Sequence, residues 1–187
     1  MSAASDFDMP ADADKDAEPL ARRLGEVCLA HQAHVTTAES CTGGGVACAI
    51  TAVAGSSAYF ETGYVTYSNQ AKQRLLGVAE ATLSTYGAVS AETVREMVAG
   101  ACRDSGATLG VAVSGIAGPD GGSAEKPVGT VWFAWGDERR QRVSHFQIPG
   151  DRAQVRERSV SIALAGLIEW LMDQAGARGA THRHLQR

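Results

Sequence analysis

The stretch TLGVAVSGIAGPDGG, residues 108–122, limits the possible folds more than any other part of the chain. Thr108–Ser114 is a nearly continuous run of small and β-branched apolar residues. That pattern belongs to a strand covered on both faces, not to one alternating between core and water. It runs straight into Gly115–Gly122, too rich in glycine and proline for regular structure. A strand buried on both faces needs helices above and below it, and the flanking sequence supplies them. Leu20–Gln32 sets Leu20, Leu24, Val27, Cys28 and His31 at helical spacing. Ser90 opens a helix to Asp104, with Glu92 and Glu96 near its positive end. Asp151 caps a long helix to about Gln174, with an apolar stripe of Val155, Val160, Ile162, Ala163, Leu167 and Leu171.

The remaining segments complete the pattern. His34–Thr37 predicts a short strand, and VACAITAVA a buried helix closed by Gly55. Gly63–Ser68 predicts a strand; Asn69 then caps a helix over Gln70–Leu76 that Gly77 ends, and a short helix precedes the Tyr86–Gly87 turn. Val128–Trp135 and Gln141–Ile148, on either side of Gly136–Arg140, predict an antiparallel hairpin. Helices alternating with buried strands give an α/β fold, a three-layer α/β/α sandwich with a mixed sheet.

At 187 residues and 44% hydrophobic the chain suits one domain. The formal charge of −4 is uneven: Asp6, Asp8, Asp12, Asp14, Asp16 and Glu18 face only Lys15 at the start, leaving 15 acids against 16 Lys/Arg elsewhere. Residues 1–18 hold too few branched apolar groups to offset their ordering entropy, so a disordered acidic leader is expected. Residues 19–176 form the folded domain, and 177–187 a basic flexible tail. The domain has no basic stripe, which disfavours nucleic acid as the main ligand, and no apolar run long enough to span a membrane. The opening residues lack a secretory signal, and Cys28, Cys41, Cys48 and Cys102 show no metal-type spacing. Reduced thiols, a cytoplasmic location, and no metal or cofactor are expected. Cys48, Cys102 and Trp170 are expected in the core.

Four segments could carry chemistry. AESCTGGG, residues 38–45, lies between a strand and a helix, where Thr42, Gly43 and Gly44 offer backbone donors to a phosphate or carboxylate; it serves equally as a tight helix entry with Thr42 as N-cap. In residues 55–72, Ser56 and Ser57 sit on a loop, followed by Tyr67 on a strand and then Lys72. Burial can turn a lysine into the base that a serine hydroxyl needs, although turn serines and a solvated lysine read just as simply. The loop after Ser114, with Gly115 and Gly118, lies at the carboxyl edge of the sheet, where α/β folds bind ligands. In GDRAQVR, residues 150–156, Arg152 and Arg156 share one helix face and can clamp a phosphate or form surface ion pairs.

Taken in order, AESCTGG, AGSSAYFETGYVTYSNQAK, GAVS, VSGIAGPDGGSAEKPVGTVWFA and PGDRAQVR resemble the CinA carboxyl-terminal domain family over roughly residues 20–172. The likeness is to its stand-alone members, the nicotinamide-nucleotide amidases. The resemblance implies hydrolysis of the carboxamide of nicotinamide mononucleotide to nicotinic acid mononucleotide and ammonia, by a serine nucleophile and a lysine base. Matched to this sequence, it implies Ser57 as nucleophile, Lys72 as base, Tyr67 as the active-site tyrosine, and Arg152 or Arg156 on the phosphate.

Two alternatives stand beside it. Cys41, at a helix N-terminus where a thiol pKa falls, could act with Glu39 and Lys72. The chain could also be a nucleotide-sensing or protein-interaction module without catalysis. Exposed hairpin edges leave room for a homo-oligomer.

Overall fold

The computed structural model describes residues 8–184. Five strands form one sheet in the order β2-β1-β3-β4-β5. The strands are β1 (Val35–Glu39), β2 (Phe60–Val65), β3 (Leu109–Gly115), β4 (Thr130–Gly136) and β5 (Gln141–Gln147). β1 runs parallel to both β2 and β3, whereas β4 is antiparallel to β3 and to β5. The expected mixed sheet and hairpin are therefore present, and so is the α/β/α sandwich. The helices are α1 (Ala17–His31), α2 (Gly45–Thr51), α3 (Asn69–Leu76), α4 (Glu80–Tyr86), α5 (Ala91–Ser105) and α6 (Arg152–His184).

Strand alternation splits the core in two. Val111, Val113, Phe133 and Trp135 pack with α1, α2 and α6, while Ala112, Trp132 and Ala134 pack with α3, α4 and α5. Every β3 residue from Leu109 to Ser114 is buried, as the sequence predicts for a doubly covered strand. Asp151 does cap α6: its carboxylate accepts from the Gln154 N–H at 2.9 Å, and Gln154 Oε1 accepts from the Asp151 N–H at 2.8 Å.

Several boundaries depart from the sequence reading. Residues 8–18 are not loose. Turns over Pro10–Lys15 bury Ala13 in the core, Asp14 pairs with Arg158, and α1 begins at Ala17. The acidic average of the leader concealed two small apolar residues, Pro10 and Ala13, that are buried; its first seven residues lie outside the described ones. α6 continues past Gln174 to His184, through an Ala-rich segment with no proline to stop it. The run after Gly45 is a short, half-exposed helix that buries only Val46 and Ile50, so Cys48 faces outward; Cys102 and Trp170 are buried as expected. β2 starts three residues earlier than expected, and Ser68 rather than Asn69 caps α3, accepting from the Ala71 N–H.

Candidate active site

The carboxyl ends of the three parallel strands meet at one edge of the sheet. There β1 ends at Glu39, and Ser40 is held from both sides. Its own N–H donates to the Val113 carbonyl of β3 at 2.9 Å, while the Thr66 N–H, just past β2, donates to the Glu39 carbonyl at 2.8 Å. Lys72 is the fourth residue of α3, and helical side chains lean towards the N-terminus. Its amine thus reaches back to the strand ends, donating to the Thr66 carbonyl at 2.8 Å and lying 3.0 Å from Ser40 Oγ. Lys72 is 1% exposed, and burial pulls its pKa down from 10.5 to about 8. A serine hydroxyl against an amine that sheds its proton near pH 8, well below the usual range for lysine, is a nucleophile–base pair.

That pair is not the one expected. Ser57 sits exposed in a single 3-10 turn, Ser56–Ala58, which leads into the start of β2. Lys72 follows the end of the same strand. Six strand residues at about 3.3 Å each put the two at opposite edges of the sheet, so the structure does not bring Ser57 to Lys72. Sequence reasoning alone does not single out Ser40, although it follows the first parallel strand at the edge where ligands bind.

The Cys41 alternative also loses its footing. Burial pushes the Cys41 thiol up to about 12, against the fall that its place beside a helix start had suggested. Glu39, its supposed partner, is 0% exposed and already engaged. Its carboxylate accepts the N–H groups of Gly44 (3.0 Å), Val46 (3.0 Å) and Ala47 (2.8 Å).

The anion site expected at Thr42, Gly43 and Gly44 loses its two glycine donors to the protein's own acceptors. The Gly43 and Gly45 N–H groups bond to the Ser40 and Thr42 carbonyls, and the Gly44 N–H bonds to Glu39. The turn is occupied by the protein's own carboxylate. Nor is Thr42 an N-cap: that position is Gly44, at φ 94°. Ser114 is buried and donates to the Ala88 carbonyl at 2.7 Å, which ties the entry to α5 against β3 instead of meeting a ligand. Gly115 is pressed on β4, where a Cβ would meet the Thr130 carbonyl at 2.8 Å.

The arginines do converge on this edge. Arg152 donates to the Gly118 carbonyl and to the Tyr67 hydroxyl, both at 2.8 Å, linking the loops that leave β3 and β2. Tyr67 is 60% exposed, and its hydroxyl partner is Arg152 rather than Lys72. Arg156, one turn along α6, donates from Nη2 to the Thr42 carbonyl at 3.1 Å, and its Nε–H has no protein acceptor. Among the described residues no group of three or more His, Cys, Asp or Glu is placed to hold a metal ion, and no helix is long and apolar enough to cross a membrane.

Comparison with known proteins places this arrangement. Residues 17–171 match the model of the CinA C-terminal domain. The chain is 60% identical over 150 residues to nicotinamide-nucleotide amidohydrolase PncC of Pseudomonas putida, covering 80% of this chain and 94% of that protein. It is 51% identical over 155 residues to the protein of the same name from Escherichia coli K12, covering 82% and 94%. A crystal structure of a CinA superfamily protein from Klebsiella pneumoniae superposes with a TM-score of 0.82 at 39% identity, covering 85% of this chain and 99% of the other. The chain belongs to the CinA C-terminal domain family.

Proposed function

We propose that this chain is an amidohydrolase that converts nicotinamide mononucleotide to nicotinic acid mononucleotide and ammonia, with Ser40 as nucleophile and Lys72 as base. The relatives named for that activity support the substrate. The observation that carries the mechanism is the buried Lys72 amine 3.0 Å from Ser40 Oγ. Neutral Lys72 takes the Ser40 proton as Oγ bonds to the carboxamide carbon. The oxyanion that forms is met by backbone N–H groups of Cys41 and Thr42, which face the Cys41 sulfur in the free protein and are not held by the Glu39 carboxylate. One such donor is worth about 3 kcal/mol of barrier. Collapse breaks the C–N bond as Lys72 returns its proton to the leaving ammonia. Water, activated by the again-neutral amine, then hydrolyses the Ser40 ester.

The phosphate falls to Arg152 and Arg156, because the amino end of α2 is filled by Glu39. Tyr67, whose hydroxyl accepts from Arg152, stands beside the same arginine. The test is ammonia release from nicotinamide mononucleotide by purified protein and by its Ser40→Ala and Ser57→Ala variants. Loss in the first with retention in the second supports the reading. Near-normal turnover by Ser40→Ala sinks the nucleophile assignment, and nucleotide binding without ammonia release favours a sensing module.

A further inference from the structure

Resting on the Ser40–Lys72 reading, we propose that Glu39 is a positioning residue: its buried carboxylate clamps the turn that carries Ser40 to the start of α2 and so holds the nucleophile at its base. A carboxylate without water is expensive unless its charge and lone pairs are met. Here three N–H groups and the positive end of α2 meet them. The bonds reach five, seven and eight residues ahead, closing a loop of chain over Ser40. The backbone of the same two residues is pinned to both neighbours, Glu39 through the Thr66 N–H and Ser40 through the Val113 carbonyl.

The strand bonds set where Ser40 starts, and the carboxylate sets which way the chain leaves it. That departure also presents the Thr42 carbonyl to Arg156. Glu39 touches no reacting atom. Its role is to stop the turn from relaxing by the fraction of an ångström that separates a 3.0 Å nucleophile–base contact from a broken one. It also closes the amino end of α2 to other anions, leaving the substrate phosphate to α6.

The test uses Glu39→Ala and the milder Glu39→Gln, which keeps one acceptor oxygen and turns an amide towards the helix donors. With nicotinamide mononucleotide as substrate, Glu39→Ala is expected to lose about 100-fold in kcat with KM little changed. Labelling of Ser40 by a fluorophosphonate should slow in parallel. Sodium formate should restore part of both rates by placing a carboxylate between the freed N–H groups, whereas sodium chloride at equal ionic strength should not. Glu39→Gln should fall between the two, and it carries the test alone if the alanine variant does not fold. An unchanged kcat in either folded variant overturns the proposal, as does a folded Glu39→Ala that formate cannot rescue. The dyad itself fails differently: Ser40→Ala would keep its turnover whatever happens at Glu39.

Discussion

Lys72→Met separates the cost of the proposed base from its use. Methionine is close to lysine in volume and brings no charge into a site that is 1% exposed. A lysine that is harder to protonate folded than unfolded destabilises the fold wherever it is charged. The drop from 10.5 to about 8 therefore costs wild type about 3 kcal/mol at pH 6.5, below both values. The penalty fades as pH rises through about 8 towards 10.5, and about 1 kcal/mol of it remains at pH 9.5. Against this, methionine leaves the Thr66 carbonyl without its donor, at about 1–3 kcal/mol that does not depend on pH. Urea unfolding at the two pH values should thus show the variant losing about 2 kcal/mol relative to wild type from pH 6.5 to 9.5. The variant should be inactive throughout. A stability difference that stays flat across that range would mean that the amine carries no buried proton equilibrium, and the base assignment would go with it.

Three other outcomes follow from the same geometry. kcat/KM on nicotinamide mononucleotide should climb about tenfold per pH unit on the acid side and bend near 8, as neutral Lys72 accumulates; a profile flat from pH 6 to 9 contradicts it. Arg156→Ala should raise KM for the mononucleotide by about tenfold or more while sparing the riboside, since a charged hydrogen bond is worth about 1.5–3 kcal/mol; equal effects on both would remove phosphate from its role. Gly100→Ala should lower stability by about 2 kcal/mol or more in thermal melts, because its methyl would run into the Leu76 carbonyl where α5 crosses α3; a variant as stable as wild type would show that this contact can relax.

The fold was legible where one residue pattern allowed one physical outcome. Leu109–Ser114 has no polar face, so helices had to cover it twice. Asp151 and Ser90 were readable as caps because a short oxygen-bearing side chain before an apolar run has few other uses there. Elements failed where composition was averaged over unlike residues. The leader looked too acidic to order, yet burying Pro10 and Ala13 is enough to seat it. VACAITAVA looked uniformly apolar, but its small side chains expose as cheaply as they bury, and only Val46 and Ile50 go inside.

The sequence reading and the structure part at the site for a topological reason. Ser57 and Lys72 are close in the chain, and closeness in sequence suggested closeness in space. A six-residue strand between them carries the chain from one edge of the sheet to the other. In a parallel sheet, groups meet when each follows the carboxyl end of its own strand, and Ser40, after β1, and Lys72, after β2, satisfy that condition. The signal was present: the segment after Ser114 had been placed at that edge by the same reasoning, which applied with equal force to the residue after Glu39. Glu39 was less accessible to sequence reading, because its partners are backbone N–H groups with no side-chain signature. The glycines beside it were read as an approach for ligand, yet Gly43 and Gly44, at φ 61° and 94°, are there to turn the chain back onto the carboxylate. A glycine-rich helix entry preceded by an acidic residue therefore has two readings, an anion site or one already filled, and the hydrogen bonds of the Glu39 carboxylate decide for the second.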